Sequence, residues 1–161
     1  MDEILELLIK DARLTPQEIA KLTGRDITSI KKAIHRYEKD GTIVKYKAII
    51  NQDMVRDANS FVRALIEVSI EPEKDVGFDH VAERIYSFPE VTSCYLLSGT
   101  YDLLVIVEGD NIQKVSDFIA SKLSPMAHVR STTTHFLLKK YKEDGHIFKK
   151  SRKNKRLAIS Y

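Results

Sequence analysis

The chain is poor in everything that staples, anchors or catalyses. Its 161 residues include a single cysteine, Cys94, so no internal disulfide can form and no cysteine-built zinc site is expected. Apolar Leu96 and Leu97 follow closely, which reads Cys94 as an inert core thiol rather than a redox sensor. The histidines His35, His80, His128, His135 and His146 form no HxH or HExxH pairing, and no GxGxxG or GxxxxGKS phosphate loop is present. With no motif for a nucleophile, an acid/base pair or a metal cluster, the chain reads as neither an enzyme nor the carrier of a cofactor or metal. The longest unbroken apolar run, Leu103 to Val107, is far short of the ~20 residues of a membrane-spanning helix. Asp2 and Glu3 are acidic where a secretory leader carries positive charge, so the expectation is a cytoplasmic protein without a membrane partner. No internal repeat or low-complexity linker is visible.

What is present suits one medium domain or two small ones. Hydrophobic residues make up 43% and charged residues 30%, an ordinary balance for a globular fold. The net charge of +3 conceals a division: 10 Lys/Arg face 8 Asp/Glu over residues 1–50, 7 face 13 over 51–138, and 9 face 2 over 139–161. Basic ends around an acidic middle imply that a polyanion is held by the ends while the middle does something else.

Residues 1–50 read as helices closed by an extended segment. Ile4, Leu5, Leu8 and Ala12 recur at helical spacing, and Asp11 to Leu14 ends that helix. Thr15-Pro16-Gln17-Glu18 then sets a capping threonine before a first-turn proline, with a glutamate placed to return the hydrogen bond, and Ile19, Ala20 and Leu22 follow as an apolar face. Gly24 supplies a turn and Asp26 a cap for a further helix, whose Ile27, Ile30, Ile34 and Tyr37 form a core stripe. Asp40-Gly41 stops that helix, and Ile43 to Ile50 reads as an extended wing.

This order is that of a winged helix-turn-helix, whose second helix enters the major groove of double-stranded DNA. Lys31, Lys32, Arg36 and Lys39 can neutralise phosphates, while Thr28, Ser29 and His35 are short enough to approach base edges. Arg25 in the turn, and Lys45 and Lys47 on the extended segment, complete the candidate DNA contacts. A solvated face on a small bundle is the alternative for any one basic helix. The capping box, turn glycine, second cap and following segment occurring in sequence favour DNA.

After a polar connection over 51–60 the pattern alternates strands with helices. Alternation in Phe61 to Ile70 gives a half-buried strand; Phe78, Val81, Ala82, Ile85 and Phe88 give a helix stopped by Pro89. Val91 to Ser98 and Leu103 to Glu108 give two strands joined by Gly99-Thr100-Tyr101-Asp102. Ile112, Val115, Ile119 and Leu123 give a helix ended at Ser124-Pro125, and Val129 to Leu138 the last strand. The resulting β-α-β-β-α-β order predicts a ferredoxin-like domain over 61–140, so the whole is α+β, with a basic extension over 141–161. Helices on one face leave the other bare, yet Leu103 to Val107 is apolar at every position and expects burial on both sides. A second copy is the simplest cover and supplies the two-fold symmetry of paired DNA half-sites, so at least a homodimer is expected.

These residues resemble the Lrp/AsnC, or feast/famine, transcription regulators, from about Ile4 to Phe148. The most specific stretches are Asp11-Ala12-Arg13-Leu14-Thr15, Asp40-Gly41-Thr42-Ile43-Val44-Lys45-Tyr46 and Leu97-Ser98-Gly99-Thr100-Tyr101-Asp102. The resemblance implies a DNA-binding head, a ferredoxin-like domain that dimerises and assembles to tetramers or octamers, and an amino-acid-like effector bound between dimers. It places the effector at Gly99, Thr100, Tyr101 and Asp102 and at Thr132 and Thr134. Period two does set the two threonines on one strand face, Asp102 could receive an α-ammonium, and N–H groups near Gly99 could hold a carboxylate. Ser98 to Asp102 is equally a good hairpin turn in its own right. Some proteins of similar sequence are tetrapyrrole (sirohaem-type) decarboxylases, a role the cationic Lys31, Lys32 and Arg36 speak against; an oligomer acting on a protein partner without DNA is a third reading. The dense basic run Lys149 to Arg156 extends the DNA footprint or serves as a solubilising tail.

Overall fold

The computed structural model describes residues 1–55, 61–71 and 77–148, which fall into two compact units, Met1–Ile50 and Asn51–Tyr161. The polar connection beyond residue 55 and the basic run 149–156 lie outside the described residues.

The first unit holds α1 (Glu3–Lys10), α2 (Pro16–Thr23) and α3 (Ile27–Lys39). Each begins on a side-chain cap that satisfies an otherwise orphaned backbone donor. Asp2 accepts from Ile4 N, and Asp26 accepts from Ser29 N at 2.9 Å. At α2 the box closes both ways: Glu18 N donates to Thr15 Oγ1 at 3.3 Å and Thr15 N donates to Glu18 Oε2 at 2.8 Å. Gly24 ends α2 at φ +68°, a left-handed turn that glycine adopts without penalty. Ile4, Leu8, Ile19, Ile30 and Tyr37 form the core, with Leu14, Ala33, Ile34 and Ile43 packed against it.

Helix α1 stops at Lys10, where the break at Asp11 to Leu14 ends it and Asp11 accepts from Arg13 N. Two details differ from the sequence reading. Leu22 is 61% exposed, because Ile19, with Ala20 beside it, fills the share of this small core that α2 supplies. The stretch after α3 forms no strand: Ile43 N donates to Tyr37 O at 2.8 Å and Tyr46 OH to Glu38 Oε1 at 3.1 Å, but residues 44–50 find no ladder partner within their unit. A strand needs a second row of donors and acceptors, and this unit supplies none.

In the second unit β1 (Val62–Ile70), β2 (Val91–Leu96), β3 (Leu103–Gly109) and β4 (Val129–Phe136) form one antiparallel sheet ordered β2-β3-β1-β4. Helices α4 (Asp79–Tyr86) and α5 (Ile112–Phe118) supply the crossovers, and β5 (Lys142–Glu143) and β6 (His146–Ile147) make a short terminal hairpin. Ala64, Ile66 and Val68 of β1 and Leu103, Val105 and Val107 of β3 meet Val81, Ile85, Val115 and Phe118 from the helices. The helix expected over Ile112 to Leu123 is α-helical only to Phe118 and widens into a π-turn over Ile119–Leu123 that still buries Leu123. Gly109 is required where β3 passes into α5, since a Cβ there would stand 2.9 Å from Val115 Cγ2.

The other sheet face carries no helix. Its rows run Tyr95, Leu104, Glu67, Thr133 and Ser93, Ile106, Leu65, His135 across the strands. Leu65, Leu104 and Ile106 are half-buried and Tyr95 is exposed, a central apolar band flanked by a Glu67–His135 contact at 3.1 Å. Arg63 bridges Glu108 and Glu143 at one end of this face, and Lys140 closes on Glu143 at 2.9 Å.

Candidate nucleic-acid interface and effector site

Helix α3 turns Ile30 and Tyr37 inward and leaves Thr28, Ser29, Lys31, Lys32, His35, Arg36 and Lys39 exposed. Thr28 and Ser29 stand in the first turn, where the Asp26 cap fixes the helix start. A shallow depression runs between Arg25, Asp26, Thr28, Ser29, Lys32 and Arg36. Short hydroxyls at one end and cations along the flank can divide base reading from phosphate neutralisation. Lys45 and Lys47 are exposed on either side of Tyr46, which Glu38 ties to the far end of α3.

Among the described residues Arg25 is the one of these held by a carboxylate: its Nη1 lies 3.1 Å from Asp2 Oδ1. The other Asp2 oxygen takes the Tyr37 hydroxyl in a short hydrogen bond. That bond, more than the nearby arginine, holds the Asp2 carboxyl below its usual range and pushes the Tyr37 phenol up. The Arg36 guanidinium lies 5.0 Å over the Tyr37 ring. Sequence reading missed Asp2 because 23 and 35 residues separate it from Arg25 and Tyr37, beyond any periodic pattern. The one available signal was a buried-stripe tyrosine whose hydroxyl must find a partner.

In the sheet unit the β2–β3 hairpin closes through Leu97 N to Asp102 O at 2.8 Å. Its tip, Gly99 and Thr100, is exposed, while Tyr101 and Asp102 are half-buried. Asp102 has a structural task that its sequence context did not show. At the bulge between Ser69 and Ile70 the ladder shifts register, and Asp102 Oδ2 accepts from Ile70 N at 2.7 Å. Val68 pairs with Leu103 on one side and Thr132 on the other, so the hairpin base and Thr132 share one end of the sheet, two strand spacings or about 10 Å apart. Thr134 pairs with Ile66, two residues further along. Both threonines lie on the helix-bearing face, where Thr132 Oγ1 meets Ser124 Oγ at 3.1 Å. Burial pushes the Cys94 thiol up, in keeping with an inert residue.

A capped helix-turn-helix with a cationic outer face, joined to a sheet domain with a polar hairpin end, defines a DNA-binding regulator that carries a ligand domain. Residues 3–44 match a winged helix-turn-helix DNA-binding model and residues 63–147 the Lrp/AsnC ligand binding domain. The chain belongs to the Lrp/AsnC family of transcriptional regulators. It is 45% identical over 158 residues to the uncharacterized HTH-type transcriptional regulator YugG of Bacillus subtilis, spanning 98% of this chain and 95% of that one. It is 28% identical over 141 residues to the HTH-type transcriptional regulator FL11 of Pyrococcus furiosus, covering 88% and 89% of the two. A crystal structure of the transcriptional regulator NMB0573 of Neisseria meningitidis, in complex with L-Met, superposes with a TM-score of 0.68 at 26% identity, over 89% of this chain and 93% of that one. The protein is therefore a transcriptional regulator rather than an enzyme, and its partners are DNA and a small-molecule effector. The decarboxylase reading finds no support. Among the described residues no helix is long and apolar enough to cross a membrane.

Proposed function

We propose that the protein binds a pseudo-palindromic operator as a homodimer or a higher even assembly, and that an amino acid bound between copies changes how the heads are spaced. The observation that carries the DNA contacts is the exposed face of α3, with Thr28, Ser29 and His35 toward bases and Lys31, Lys32, Arg36 and Lys39 toward phosphates. Lys45 and Lys47 extend the phosphate track. The bare apolar band of Leu65, Leu104 and Ile106 supports pairing of two sheets, because an antiparallel sheet with one helical layer leaves such a band in water unless a partner covers it. Gly99 and Thr100 stand exposed at the hairpin tip, so a ligand held there with Asp102, Thr132 and Thr134 needs a second surface to close over it. The L-Met complex of NMB0573 supports an amino acid as the ligand class.

Fluorescence anisotropy on a duplex from upstream of the protein's own gene, against a scrambled duplex, tests this reading. The expected result is specific, salt-steep binding that a pooled amino-acid mixture alters. By linkage, DNA changes effector affinity by the same factor. Replacing Lys31 and Arg36 together by alanine should flatten the log–log salt dependence by about 0.9 per lost phosphate contact, with oligomer mass unchanged. Salt-insensitive absence of binding to any fragment would overturn the DNA contacts, and indifference to every amino acid the effector class.

A further inference from the structure

Asp2 joins three parts of the DNA head. Its carboxylate accepts from Ile4 N at 3.2 Å to start α1, accepts the Tyr37 hydroxyl from α3, and pairs with Arg25 Nη1 at 3.1 Å on the turn between α2 and α3. Tyr37 is only 8% exposed, so the core sets where its hydroxyl lies and thereby where the carboxylate sits. The Asp2 and Arg25 side chains retain 28% and 39% exposure, and Arg25 shares a surface depression with Thr28, Ser29, Lys32 and Arg36.

We propose that Asp2 is a specificity-determining residue of the DNA head, withholding Arg25 from the DNA backbone. The inference rests on the reading of α3 as the DNA-contacting helix. A guanidinium already neutralised by a carboxylate releases few counterions when phosphate approaches, whereas a free one releases them fully. The patch therefore meets DNA with the charge of Lys32 and Arg36 but little of that of Arg25. This lowers the sequence-independent part of binding and leaves the contribution of Thr28 and Ser29 undiminished. Specificity is the ratio of the two, so sequestering one cation at the edge of the reading surface raises it.

The test measures the full chain, Asp2→Asn, Arg25→Ala and the double variant on the upstream and scrambled duplexes across a salt series, with thermal unfolding of each. Asparagine keeps one acceptor oxygen, for Ile4 N, presents an N–H donor to the Tyr37 hydroxyl oxygen in place of the second, and removes the charge that holds Arg25. Asp2→Asn should bind the scrambled duplex more tightly, with a salt slope steeper by about 0.9, and the upstream-to-scrambled affinity ratio should fall several-fold. In the Arg25→Ala background that increment should vanish, and Arg25→Ala alone should leave the scrambled-duplex slope unchanged. An unmoved slope in Asp2→Asn overturns the proposal, as does an equal increment in the absence of Arg25, which would mark a diffuse charge effect. Should Asp2→Asn fail to fold, a flattened slope in Arg25→Ala alone overturns it. Wild-type protein that shows no salt-dependent binding overturns the DNA reading itself, a result distinct from salt-steep wild-type binding that Asp2→Asn does not change.

Discussion

Asp102 has a task in the fold beside the ligand role proposed for it. Its Oδ2 satisfies Ile70 N, a donor just beyond the last β1–β3 pair, Val68 with Leu103, at a residue only 4% exposed. Removing the acceptor with Asp102→Ala should cost about 1–3 kcal/mol, the usual penalty for stranding a buried N–H. Asp102→Asn keeps an acceptor for Ile70 N and loses the charge that would receive an α-ammonium. Thermal or urea unfolding should accordingly show the alanine variant destabilised and the asparagine variant close to wild type, with the effector response lost in both. An asparagine variant that still responds to the amino-acid mixture would confine Asp102 to its hairpin role. Cys94 takes no part in either site; its strand position opposite Val105 and its raised thiol pKa mark it as packing.

At the level of elements, the head is assembled from caps as much as from apolar surface. Helix α2 has eight residues and a single fully buried side chain, Ile19, so its persistence depends on its ends. Thr15→Ala removes one half of the capping box and should destabilise the head by about 1 kcal/mol, measurable by chemical denaturation. Because α2 positions the Gly24 turn and hence the start of α3, the same variant should weaken DNA binding only to the extent that it unfolds the head. Weakened binding at unchanged stability would instead place α2's N-terminus on the DNA. The sheet elements follow a different logic: alternate residues of β1 and β3 separate cleanly into a helix-facing set and an open set. The bare face is therefore a property of the strand pattern itself, not of one exposed residue.

For the whole molecule, the proposed function joins the bare sheet face to a two-fold operator, and together they require that copies associate through the second unit. Ile106 lies on the open face of the internal strand β3, and its side chain takes no part in the chain's own buried core. Ile106→Glu should leave the monomer folded and reduce the solution mass to that of one 18.4 kDa chain, read by light scattering or sedimentation. Specific DNA affinity should fall with it, since two half-sites are no longer engaged together. An unchanged mass would move the interface elsewhere. Residues 51–138 are acidic and both ends of the chain are basic, so a polyanion is drawn to the ends and away from the 51–138 stretch.

Most of the fold was legible in the residues, for local reasons. Thr15, Gly24 and Asp26 act through neighbours within four positions, and the unbroken apolar run Leu103 to Val107 announces a strand at the centre of its sheet. Alternation and helical spacing therefore sufficed to order the elements as β-α-β-β-α-β and to separate the exposed face of α3 from its core stripe. The exposed Leu22, the missing strand over residues 44–50 and the π-turn at Ile119–Leu123 escaped that reading, since each depends on how much core or how many ladder partners the rest of the unit provides. The same holds for chemistry. A side chain's type and local setting are written in sequence, and they mark α3 as cationic and the 99–102 hairpin as polar. Which atoms are already spoken for is not. Asp2 reaches Arg25 and Tyr37, and Asp102 reaches Ile70, only once distant segments pack, because a hydrogen bond acts over about 3 Å of space whatever the separation along the chain.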